Sequence, residues 1–167
     1  FPYTTLFRSI AKGADVKRPT PAQPTLSGEV RKTYEDTVPL PRLYMVWHGV
    51  PQDTPDDNAL SILGSILSQG RSSRLQSNLN YGKELVQQVG AFNGSNEIAG
   101  MFQISATARP GRDLAEIEKE INNEIERIKK EPPTAEEVNR VVNGIEAQSI
   151  FRLQTVLGKG GQLASNE

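Results

Sequence analysis

His48 is the one imidazole in a chain of 167 residues, and cysteine is absent. Imidazole can bind a metal or move a proton near neutral pH, but a protein zinc site draws on several ligating side chains. His48 runs into Gly49-Val50-Pro51-Gln52, which offers none. It therefore reads as a hydrogen-bonded structural residue of a strand. Without cysteine there are neither disulfides nor thiolate metal sites. A second candidate is Gln69-Gly70-Arg71-Ser72-Ser73-Arg74, because glycine, serines and arginines at a helix start can hold phosphate. The same residues also suit a helix-ending glycine, a capping serine and arginines paired with carboxylates, and their spacing is not that of a nucleotide loop. The acidic groups Glu116, Glu118 and Glu120, with Glu136 and Glu137, resemble acid/base pairs. Their positions at helix starts or on polar faces point instead to solvated charge that favours the helix dipole. Arg109-Pro110-Gly111-Arg112 is basic, lacks the interleaved aromatics of a nucleic-acid site, and reads as a turn.

The scaffold for these groups is readable from periodicity and turn chemistry. Thr54 is a good N-cap, Pro55 suits the first helical position and Asp57 falls three residues after the cap. Ala59, Ile62, Leu63, Ile66 and Leu67 then share a helical face. Gly70 fits the left-handed residue that ends that helix, and Ser72 or Ser73 starts a second, short helix burying Leu75 and Leu79. Before them, Val30–Glu35 predicts a first strand with Val30 and Tyr34 on one face. Arg42–Gly49 predicts a second, with large residues on both faces as in a covered central strand. Leu85–Asn93 and Ala99–Ala108 predict a hairpin around Asn93-Gly94-Ser95-Asn96. Asp113 caps a long helix with the stripe Leu114, Ile117, Ile121, Ile125 and Ile128. Thr134 to Glu137 is a capping box that opens a helix with Val138, Val141, Val142 and Ile145 inward. That helix is expected to reach Leu157 before Gly158, Gly160 and Gly161 stop it. The order strand, strand, helix, helix, strand, strand, helix, helix predicts an α+β fold, a mostly antiparallel sheet with helices packed on one face.

A net charge of −1 gives no electrostatic case for nucleic acid or an anionic membrane. No apolar run approaches a membrane span, and no signal peptide is visible. Phe1–Ser9, FPYTTLFRS, does not fit the remainder of the chain and reads as translated sequencing adapter. Lys17–Pro24, with three prolines, reads as a linker. Residues 1–28 are therefore leader and linker, and 29–167 one domain.

The run D-D-N-A-L-S-I-L-G-S-I-L-S-Q-G-R-S-S-R-L, with P-R-L-Y-M-V-W-H-G before it and A-R-P-G after it, resembles the insulinase/pitrilysin family of zinc metallopeptidases. More narrowly it is similar to the C-terminal, non-zinc half of processing-peptidase-like bacterial members, truncated at both ends. The resemblance covers Val30 to the chain end. It implies a half-domain that walls a chamber enclosing an unfolded peptide and faces a zinc-bearing half in the same full-length chain. The family's His-x-x-Glu-His motif is absent here, so the resemblance implies zinc only for the missing upstream half. No cofactor, catalytic residue or metal ligand is expected in this chain. An extracytoplasmic location, periplasmic in bacteria, is likewise implied only by the resemblance.

The family's substrate-holding arginine and tyrosine lie in a stretch that aligns with L-N-Y-G-K-E-L-V-Q. Asn80 stands in place of the arginine and Gln87 in place of the tyrosine. Asparagine has no charge to clamp a carbonyl oxygen, and glutamine does not reproduce the phenol. Two readings stay open. In one, Leu79-x-Tyr81-x-Lys83-x-Leu85 marks a zinc-bearing subunit whose partner subunit supplies the arginine and tyrosine. In the other, the protein is a catalytically inactive scaffold. Either way, the isolated chain is expected to expose apolar surface and to be marginally stable.

Overall fold

The computed structural model describes residues 9–11, 13–15, 17 and 25–165. The leader Phe1–Ser9 and the linker Lys17–Pro24 fall, apart from Ser9 and Lys17, outside the described residues. Strand β1 (Arg42–Gly49) leads through a turn to helix α1 (Pro55–Ser68), and a π-helical segment, Gln76–Gly82, follows. Next come strands β2 (Val86–Ser95) and β3 (Gly100–Ala108), then helices α2 (Leu114–Lys130), α3 (Ala135–Arg152) and α4 (Val156–Ser165). The strands form one antiparallel sheet in the order β1-β3-β2. The fold is α+β, as the alternation of elements predicts.

The caps form where side-chain chemistry places them. Thr54 accepts from the Asp57 N–H, and Asp113 from the Ala115 N–H. Thr134 and Glu137 complete a reciprocal capping box. Gly70 ends α1 with φ at +83°, a conformation that favours glycine. Leu75 and Leu79 join Val86, Ile104, Ala106, Ile117 and Ile121 in a core between one sheet face and the helices. α1 lies so close to β2 that a side chain at Gly64 would come within 3.2 Å of the Ala91 carbonyl oxygen. That approach lets the Ser68 hydroxyl bond both the N–H and the C=O of Ala91.

Six expectations are corrected. Val30–Glu35 forms no strand; it is irregular and exposed. β1 is not a covered central strand but lies at the edge of the sheet, with Tyr44 and Val46 exposed. Large residues on both faces do not entail burial on both faces. The hairpin turn falls at Asn96–Ala99, closed by the Asn96 N–H to the Ala99 carbonyl at 3.0 Å, because Gly94 and Ser95 stay paired in the ladder. On α1 the core takes Leu60 in place of Ala59, which is exposed. Finally, α3 stops at Arg152 and α4 runs through the glycines expected to end a helix. Ile145, meant for the interior, is exposed.

Candidate functional site at the open face of the sheet

Helices cover one face of the sheet and leave the other bare. The register aligns three residues per row across β1, β3 and β2. On the bare face these rows are Arg42, Thr107 and Gln88; Tyr44, Ser105 and Gly90; Val46, Gln103 and Phe92; and His48, Met101 and Gly94. Tyr44, Val46, Phe92 and Met101 are exposed. Bulky apolar groups thus alternate with small or uncharged polar ones on a face that no described residue packs against. Arg42 is the row's charged end, donating to Thr107 at 2.9 Å and to the Tyr44 hydroxyl at 3.2 Å. Such a surface can press on apolar side chains and bond a polar backbone, and carries little net charge to select among sequences.

His48 sits on this face at the sheet edge, exposed and without a side-chain hydrogen bond among the described residues. The structural hydrogen bond expected for it is not made. No three His, Cys, Asp or Glu side chains converge among the described residues, so those residues do not fit a zinc ion.

Asn80 and Gln87 have different fates. Asn80, in the π-helical segment, donates to the Gln76 side chain at 3.1 Å and accepts from Arg109 at 3.1 Å. Arg109 also donates to the Val86 carbonyl at 3.0 Å. The amide of Asn80 is therefore spent on tying this segment to the sheet. Gln87 projects at a bulge in β2 and is exposed, lining a cleft of about 1880 Å3 that wraps around β1.

The arginines of the glycine–serine loop are already occupied. Arg74 is buried and grips Glu137 with two hydrogen bonds, at 2.8 and 2.9 Å, and Glu124 lies 3.9 Å away. Arg71 lies over the ring of Tyr81 at 4.8 Å, and Ser72 accepts from Arg140. Arg74 holds the chain's own carboxylate, which is the reading of this loop as a capped turn with arginines paired to carboxylates rather than as a phosphate site. Hydrogen bonding from Arg74 pulls the Glu137 carboxyl from 4.5 down to about 2. Of the other acidic residues, Glu118 pairs with Arg31 and Glu120 with Lys83, and each cation lowers its partner's pKa. Sequence reasoning missed that Arg109, read only as part of a turn, fastens the π-helical segment to β2.

A family model described as the peptidase M16 inactive domain matches residues 4–145. Among solved structures, a protease from Helicobacter pylori aligns at TM-score 0.72 and 27% identity, over 78% of this chain and 32% of that one. The peptidase M16 inactive domain from Pseudomonas fluorescens aligns at TM-score 0.58 and 23% identity, over 65% and 26%. A protein from Bordetella pertussis, proposed to be a zinc protease, aligns at TM-score 0.68 and 21% identity, over 78% and 71%. The chain thus spans about a third or less of the length of the first two. No curated protein matches it significantly.

Proposed function

The chain belongs to the peptidase M16 family through that family's inactive domain, and on this premise we propose that its bare sheet face forms one wall of a peptide-enclosing chamber. The reading rests on one observation: Tyr44, Val46, Phe92 and Met101 share an uncovered face while the opposite face carries the core. The peptide is unfolded, its apolar side chains meeting these residues and its backbone bonding Gln103 and Thr107. The wall faces a zinc-bearing half in the same full-length protein, where cleavage takes place; this chain shapes and holds. With the Asn80 amide committed to Gln76 and Arg109, a second family subunit supplies the substrate-holding arginine and tyrosine.

Photo-crosslinking in the full-length protein tests this. A photoreactive residue at Gln103 or Phe92 should label an unfolded peptide, and one at Lys129, on the polar side of α2, should not. Equal labelling from both faces would refute the wall. Labelling only of a folded partner subunit, with no peptide cleaved, would favour the inactive scaffold.

A further inference from the structure

Arg42 is the one arginine or lysine in the four rows of the bare face, and no aspartate or glutamate shares those rows with it. The other ionisable group, His48, lies three rows away. Arg31, Arg74 and Arg127 each answer a carboxylate, whereas Arg42 answers two neutral hydroxyls. Its Nε donates to Thr107 at 2.9 Å and its Nη1 to Tyr44 at 3.2 Å. Nη2 has no partner among the described residues. A hydroxyl that accepts a hydrogen bond keeps its own proton to give. The Tyr44 O–H is therefore a second donor beside the guanidinium, whose centre lies 5.9 Å from the centre of the Tyr44 ring.

Two donors at one corner, one of them charged, suit a carboxylate. Because Thr107 and Tyr44 already hold the guanidinium, little side-chain freedom is lost when an anion arrives. Val46 and Phe92 lie two rows on, four residues along the strand or about 13 Å. An extended peptide laid along β1 has the same rise, and its alternate residues share a side. An acidic residue at Arg42 thus places residues two and four positions away over Tyr44 and over Val46 with Phe92. An unfolded segment has one terminal carboxylate but an acidic side chain about every eight residues, so the corner chiefly meets side chains.

We propose, resting on the reading of this face as a peptide wall, that Arg42 and Tyr44 bind an aspartate or glutamate side chain of the peptide. The wall then prefers segments whose acidic residue is followed or preceded, two and four positions away, by large apolar ones.

Photolabelling from Gln103 in the full-length protein tests this. The probe is a nine-residue peptide, blocked at both ends, with glutamate at one position and leucine two and four positions on; its counterpart has glutamine for glutamate. Half-maximal labelling should need about three- to fivefold less of the acidic peptide, and salt at about 0.5 M should shrink that preference. Arg42→Gln should raise the requirement for the acidic peptide to that for the neutral one and leave the neutral one unchanged. Tyr44→Phe, which removes only the phenol's hydrogen bonding, should lose part of the preference. Equal labelling by the two peptides at low salt, or a preference that survives Arg42→Gln, would overturn the proposal and leave the wall standing. So would a preference that appears only when the peptide's C-terminus is left unblocked. Labelling by neither peptide would refute the wall itself, and the proposal with it.

Discussion

The two edges of the sheet show opposite solutions to the same problem. Along β2, side chains from neighbouring elements reach the outward backbone: Ser68 bonds Ala91, Gln76 bonds the Val89 carbonyl and Arg109 the Val86 carbonyl. Arg74 and Glu137 then fasten α3 to the same side. Along β1 no described side chain plays this part, and among the described residues an exposed segment and a cleft lie beyond it. Side chains bonded to Val86, Val89 and Ala91 leave the β2 edge less open to another strand. A bare edge is more open, so the molecule's capacity for change is concentrated at β1 and its stability at β2.

The sharpest way to break this contrast is at the buried fastener. Arg74→Ala leaves Glu137 without its cation and takes the more distant of two cations from Glu124, only 3% exposed, which keeps Arg127 at 3.4 Å. Removing one partner of a buried ion pair costs about 3 kcal/mol or more, and the urea midpoint should fall accordingly. A loss under about 1 kcal/mol would show the pair to be no more than a surface contact. The same pair sets the acid response. Because the folded Glu137 carboxyl lies near 2 and its ordinary value is 4.5, its stabilisation is complete above 4.5 and is lost as pH falls toward 2. Urea melts over that window should be steeper in pH for the parent chain than for Arg74→Ala.

A smaller effect isolates the edge itself. Ser68→Ala strands the N–H and C=O of Ala91 beneath α1 and should cost about 1–2 kcal/mol. Val46→Thr on β1, with its side chain on the bare face, should change stability by no more than about 0.5 kcal/mol. Equal costs in chemical denaturation would mean that the edges are not different.

Much of the fold is legible in the sequence where one residue's chemistry decides a local event. Thr54, Asp113, Thr134 and Gly70 mark helix ends by hydrogen bonding and allowed φ, and the structure has each where the sequence puts it. The stripe from Leu114 to Ile128 and the alternation in β3 are equally readable. What is not legible depends on neighbours distant in sequence. Whether β1 is central or at an edge is decided by what pairs with it, not by its own residues. That Arg74 pairs with a carboxylate is readable, but not which one, because Glu137 lies 63 residues away. The bare face is likewise invisible, since exposure on one face of a strand says nothing until the covering helices are placed.

The least costly change probes α4, toward the far end of the chain. Val156 and Leu157 are almost fully exposed, and a side chain at Gly160 or Gly161 would meet nothing within 4 Å. Each glycine inside a helix costs about 1 kcal/mol relative to alanine, and ten residues are too few to hold a helix alone in water. Gly160→Ala with Gly161→Ala should therefore raise helicity by far-ultraviolet circular dichroism while the urea midpoint of the core stays within error. Gly158 is different, because an added carbon there would fall 1.9 Å from the Arg152 carbonyl oxygen, so Gly158→Ala should open the bend between α3 and α4. If the double alanine substitution instead moved the global midpoint by its full helical gain, α4 would be coupled to the core. The stable side of the molecule would then extend past the fasteners at Arg74 and Glu137.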